Sequence, residues 1–232
     1  MSQKIARRLG LSLLVIFCVA AAIITALFFE PDAKTSEYSA DDYRYELTFV
    51  KQLAEFPILK QQTAYTCNVT SMAIVRNFLG VSTTEQSIRS ELGVLSRTSG
   101  MLPNKYLHYA KQAFQPIGLT VTLENPTSQT EVLNLFSESL ARGLPVIVFY
   151  AAPDAWNMPE FNTHYAVVYG VDMQDATVQI SNPYGYAEQL AFADLFSGLD
   201  FSSYAEAPFS FRLARTFGLV KPNSLFILRD AA

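Results

Sequence analysis

One stretch constrains this chain more than any other: Gln61 to Gly80, reading QQTAYTCNVTSMAIVRNFLG. Met72, Val75 and Leu79, with Ile74 and Phe78 alongside, follow the spacing that buries one face of a helix, and Gly80 supplies its stop. Cys67 then falls in or just before the first turn. Unpaired N–H groups and the positive dipole end of a helix favour an anion there, so the placement is expected to stabilise a thiolate, the nucleophilic form of cysteine. Upstream, the amide of Gln61 could donate, beside the Cys67 N–H, to an oxygen gaining negative charge. Gln62 could take that role if the register slipped by one.

The other cysteine, Cys18, lies in an uncharged run from Leu9 to Phe29. At ~1.5 Å per helical residue the run is long enough to cross a ~30 Å hydrocarbon core. Lys4, Arg7 and Arg8 precede it, and Glu30 and Asp32 follow. The positive-inside rule therefore assigns residues 1–8 to the cytoplasm, 9–29 to a single-pass signal anchor, 30–40 to a polar tether, and 41–232 to a domain outside the cytoplasm. A cleaved signal peptide fits less well, because the apolar run exceeds the usual ~7–15 residues and no small-x-small site precedes Glu30. Phe17 is too bulky for Cys18 to be a lipid-modified cysteine. The architecture is that of a bacterial inner-membrane protein with a periplasmic or otherwise extracytoplasmic domain.

In that domain Cys67 is alone. A lone thiol in an exported domain has no internal disulfide partner, so it is either well buried, as a small hydrophobe, or reactive. With 232 residues, half of them hydrophobic, and a formal charge of −4, the chain fits one globular domain of ordinary size. Its basic residues are scattered and form no stripe interleaved with aromatics, which argues against nucleic acid as a partner. No second cysteine, histidine cluster or Gly-rich phosphate loop is in place for a metal or organic cofactor, so none is expected.

In chain order, a helix is expected from Asp41 to Leu53, followed by an extended segment from Ile58 to Thr66. After the Cys67 helix, Ser82 and Glu85 make a capping-box spacing that opens a helix ending near Gly93. Pro103 to Phe114 is a further helix opened by proline, and Leu119 to Leu123 is a strand. Ser128 and Glu131 repeat the capping-box spacing and open a helix that runs to Arg142. The pattern then turns to β: Pro145 to Ala151, His164 to Asp172, Thr177 to Ser181 and finally Ser224 to Leu228. Runs without alternation suggest strands covered on both faces. Phe192 to Leu199 is read as a short helix. Helices first and an antiparallel sheet after is the α+β order.

Only two histidines exist. A nucleophilic cysteine needs an imidazole to take its proton and to return one to the leaving group. His108 lies inside a helix among aromatics and lysines, the setting of a partly buried structural residue. His164 begins a strand just after a loop, where a group can face a cleft. The next strand ends at Asn182, which falls near His164 across the hairpin and could accept a hydrogen bond that holds the ring's orientation. Its plain alternative is a turn residue before Pro183.

The pattern Gln61, Cys67, Thr70, Ser71, Ala73, Val75, Asn77 and Gly80 resembles the active-site helix of papain-like cysteine peptidases. It is most similar to the thirty-ninth cysteine peptidase family, whose best-known members cut bacteriocin leaders, and to that family's stand-alone bacterial relatives. His164-Tyr165-Ala166-Val167-Val168 and Asn182-Pro183 are similar to the family's second and third catalytic segments. Asn68 replaces the usual Gly, and Asn182 the more usual Asp. The resemblance implies a papain-like α+β fold and a thiol-dependent hydrolase or peptidase acting on an amide bond of a peptide or protein. In it Cys67 is the nucleophile, His164 the general base and acid, Asn182 the orienting residue and Gln61 the oxyanion donor. Leader cleavage does not carry over, because no transporter module is present and the domain is expected on the other side of the membrane. Two rivals remain: an inactive papain-like domain that binds a peptide or protein partner, with the aromatic loop Ala152 to Phe161 as its lip, and a structural envelope domain with Cys67 buried.

Overall fold

A computed structural model of the protein describes residues 49–94, 101–152, 162–201 and 207–231. The expected membrane segment 9–29, the tether 30–40, most of the helix expected from Asp41 and the loop around Trp156 lie outside them. Among the described residues no helix is long and apolar enough to cross a membrane.

Among the described residues, seven strands form one antiparallel sheet: β1 (Val50–Gln52), β2 (Leu119–Glu124), β3 (Val146–Ala151), β4 (Thr163–Asp172), β5 (Thr177–Asn182), β6 (Tyr186–Ala191) and β7 (Ser224–Asp230). Their order is β2-β7-β3-β4-β5-β6, with β1 paired to β4. The helices are α1 (Cys67–Phe78), α2 (Glu85–Leu92), α3 (Pro103–Phe114), α4 (Gln129–Ala141), α5 (Phe192–Leu199) and α6 (Phe209–Thr216).

Every residue of β3 is buried, as are the eight interior residues of β4, so the unbroken apolar runs do lie between two layers. On one face α1 and α3 cover Tyr165, Val167, Ile147 and Phe226; on the other α4 and α5 cover Ala166, Val168, Val146 and Leu225. This is the period-two alternation of a strand. Tyr106 of α3 stacks on Tyr165 at 4.3 Å and meets Phe226 edge-on at 4.5 Å. Such ring pairs add about 0.5–1.5 kcal/mol each beyond burial.

Two expectations need correction. Residues 50–52 are not helical but pair with β4, Val50 opposite Asp172 and Gln52 opposite Gly170. β4 continues past the end of its pairing with β3, and β1 takes the backbone groups left open there. At Gly170 a Cβ would come within 2.8 Å of the Gln179 side chain, so only glycine fits between the flanking strands. Likewise, the capping box of α2 is Thr84 with Ser87, not Ser82 with Glu85. Glu85 is engaged elsewhere, accepting from Gln62 N–H at 2.7 Å and Thr70 Oγ1 at 2.9 Å. β6 and α6 have no counterpart in the sequence reading.

Candidate active site

The N-cap residue leaves the first N–H groups of α1, those of Cys67 and Asn68, open to the sulfur. Thr66, at the N-cap, makes no side-chain cap; its Oγ1 turns back to accept from Thr63 N–H at 3.1 Å. Asn68 Oδ1 takes the Val69 N–H at 2.7 Å. Asn68 is wholly buried within a regular helical turn, so the position has no need of the glycine expected there. The backbone N–H groups of Cys67 and Asn68 are directed at the Cys67 sulfur, joined from β4 by that of Tyr165, the residue after His164.

Those donors favour a thiolate, but burial outweighs them. Cys67 is 5% exposed, and burial pushes its thiol up to about 11, with the charge of Glu85 adding in the same direction. The net shift is therefore upward, where the sequence suggested a lowered thiol: taking the sulfur out of water outweighs the backbone hydrogen bonds.

His164 is 1% exposed and sits opposite Tyr150 of β3. Its ring stacks on Tyr184 at 4.1 Å and meets Tyr150 edge-on at 6.0 Å. Its Nε2 lies 3.0 Å from Asn182 Oδ1, which also accepts the Tyr184 N–H at 3.0 Å. Burial takes His164 down to about 4, against the opposing effect of its hydrogen bond to Asn182 Oδ1. The Tyr184 hydroxyl is raised by burial and next by the charge of Cys67, and Cys67 also acts on Tyr150. Both rings that flank His164 are thus within electrostatic reach of the sulfur.

Gln61 is buried, whereas Gln62 is exposed. The lead-in is tied on both sides: Gln61 N–H donates to Pro183 O at 2.6 Å, next to Asn182, and Gln62 N–H to Glu85. Gln61 Nε2 donates to Thr63 O at 2.7 Å, and its Oε1 is buried without a hydrogen-bond partner. One of the two Nε2 hydrogens is thus committed within the lead-in, and one is left for another acceptor.

His108 is outside this constellation. It is exposed rather than partly buried, on α3, 3.0 Å from Gln112 Nε2. Among the described residues no group of three or more His, Cys, Asp or Glu side chains could hold a metal ion.

The sequence profile of the Peptidase_C39 like family matches residues 53–195, a span holding Gln61, Cys67, His164 and Asn182. The chain belongs to that family. No curated protein matches the sequence. Among solved structures, a protein described as a C39-like peptidase from Bacillus anthracis is 14% identical, with a TM-score of 0.52 over 79% of this chain and 99% of its own. That likeness shows a shared fold. A double-glycine-motif protease from an AMS/PCAT transporter, in complex with a leader peptide, is 15% identical with a TM-score of 0.47, covering 79% of this chain and 100% of that one. The peptidase domain of Streptococcus ComA, a bifunctional ABC transporter in a quorum-sensing pathway, is 16% identical with a TM-score of 0.44, covering 62% of this chain and 91% of its own. Membership of the C39-like family gives the α+β fold and supports cysteine peptidase activity.

Proposed function

We propose that the protein is a cysteine peptidase anchored in the bacterial inner membrane by residues 9–29, whose domain, outside the cytoplasm, cleaves an amide bond in a peptide or protein. The observation that most supports this is the buried 3.0 Å contact of His164 Nε2 with Asn182 Oδ1, beside a cysteine sulfur that accepts from the backbone of the next residue. Asn182 Oδ1 can only accept, so Nε2 carries its hydrogen and Nδ1 is the basic atom. In the resting site both partners are neutral. As Sγ attacks the substrate carbonyl, the thiol proton passes to His164 Nδ1, and the oxyanion is held by the Cys67 N–H and the free Nε2 hydrogen of Gln61. Nδ1–H then protonates the leaving amine. Water, deprotonated by the same nitrogen, releases the acid product from the thioester and restores the thiol.

A second reading, binding without turnover, is favoured by the tie of Gln61 Nε2 to Thr63 O. Incubating the full chain with a peptide library, beside Cys67→Ala and His164→Ala variants, separates the two. Cleavage products and an acyl adduct on Cys67, absent from both variants, support the peptidase. Retained peptide with neither product nor adduct leaves a binding domain. Resistance to carbonate extraction, with the domain digestible from outside spheroplasts, tests the anchor.

A further inference from the structure

Asn182 is held at both ends. Its Oδ1 faces His164 Nε2 and the Tyr184 N–H, while its Nδ2 donates to Glu188 Oε2 at 2.9 Å and lies 3.5 Å from the Tyr186 hydroxyl. Glu188 and Tyr186 belong to β6, where Ile180 opposes Glu188 and Asn182 opposes Tyr186. Glu188 therefore shares a sheet face with Asn182, one diagonal step away. It is half-buried, its carboxylate turned onto a buried amide.

An orienting residue beside a general base has two tasks. It must accept from Nε2–H, and it should favour the positive charge the ring gains when Nδ1 takes a proton. A carboxylate performs both, but a neutral amide performs only the first. We infer that Glu188 is a positioning residue of the His164–Asn182 pair, locking the amide with its oxygen toward the imidazole and supplying behind it the negative charge that asparagine lacks. The inference rests on the acid–base role proposed for His164. As the ring becomes imidazolium, the donor chain Nε2–H to Oδ1 and Nδ2–H to Oε2 polarises in one direction, so the carboxylate's effect is passed through the amide. The polar groups around this chain are Cys67 from α1, Tyr150 from β3, Tyr184 after β5, and Tyr186 from β6.

The test exchanges the two groups. In the full chain, Glu188→Gln keeps an acceptor and removes the charge, Asn182→Asp sets two carboxylates against each other, and the double variant trades amide and carboxylate across the same contact. The readouts are the His164-dependent rate of Cys67 alkylation by iodoacetamide and the ring-nitrogen NMR shifts of His164, recorded with His108→Gln so that one histidine remains. Each single variant is expected to slow alkylation about tenfold or more, as loss of a supporting partner commonly does. The double variant should return to within about threefold of the parent, a coupling that additive damage cannot give. The parent and the double variant should both show the Nε2–H tautomer. Losses that add in the double variant, or a Glu188→Gln protein with parental rate and tautomer, overturn the inference while leaving the cysteine–histidine pair standing. Parental labelling that ignores His164→Ala overturns the acid–base reading, and the role of Glu188 falls with it.

Discussion

His164 Nε2 and Asn182 Oδ1 lie 3.0 Å apart in a site that leaves each side chain almost no exposure, 1% and 2%. The contact decides which ring nitrogen can act. An amide oxygen has no hydrogen to give, so the imidazole donates through Nε2 and keeps the Nδ1 lone pair for a proton from elsewhere. The Tyr184 N–H, 3.0 Å from the same oxygen, keeps the amide from turning over. The proposed base and its proposed orienting residue thus come from adjacent strands, β4 and β5, whose pairing is part of the core.

The first expected outcome is a pH profile. His164 is held at about 4 and Cys67 at about 11, so the pair is neutral between those values and its basic form is present above the lower one. Iodoacetamide labelling of Cys67 should hold a plateau across neutral pH and fall about tenfold per unit below the histidine's value as Nδ1 is protonated. His164→Ala should abolish the plateau and leave a rate that climbs toward alkaline pH. A parent that titrates like a free thiol near ~8.5 would sink the pairing.

The same burial makes an acid-stability signature. His164 binds a proton near its ordinary 6.5 when unfolded but only at about 4 when folded, so above the ordinary value both states are neutral and nothing is lost. As pH falls from the ordinary value towards the folded one, only the unfolded chain gains the proton, and stability drops by about 2–3 kcal/mol by about pH 4.5. Urea midpoints at neutral pH and at about pH 4.5 should therefore separate further in the parent than in His164→Gln, which has no proton to gain. Equal losses in the two proteins would show that the folded imidazole titrates normally.

How much of this was legible follows from which forces are local. The bounds of α1 and α3 follow from apolar spacing, from Gly80 and from Pro103, all read within one turn of chain. The strand at His164 and the Asn182 beside it follow from unbroken apolar runs joined by a short turn. The state of Cys67 was not legible, because the helix-dipole argument is local while the burial that overrides it comes from β3, β4 and α3 together. β6 was missed because its residues stay partly or wholly exposed, so no apolar run announces it, and with it went Glu188. β1 reads as well for a helix as for a strand until the open stretch of β4 is in view.

Gln61 should prove a transition-state residue rather than a binding one. Its backbone is fixed by Pro183 O, so Gln61→Ala removes the amide without releasing the lead-in from Asn182's strand end. Once a cleaved peptide is in hand, the variant is expected to lose about 100- to 1,000-fold in kcat with KM little changed, the usual cost of one oxyanion donor. Gln62→Ala, at an exposed position, should cost almost nothing. Equal effects at the two positions would remove Gln61 from the mechanism.

Glu85 carries the last prediction, because one buried carboxylate joins three parts of the site. Its Oε2 accepts from Gln62 N–H in the lead-in and from Thr70 Oγ1 on α1, while Oε1 lies 3.7 Å from Arg89 of its own helix α2. Glu85→Ala strands the buried Thr70 hydroxyl and the part-buried Gln62 N–H, and should destabilise the domain by about 3 kcal/mol, read as a lowered urea midpoint. Glu85→Gln preserves an acceptor of the same shape and should cost less than half as much. It also removes a negative charge that opposes thiolate formation at Cys67, so the alkaline rise of alkylation in His164→Ala should move to lower pH when Glu85→Gln is added. A shift the other way, or none, would mean that Glu85 acts on the site only by holding the lead-in in place.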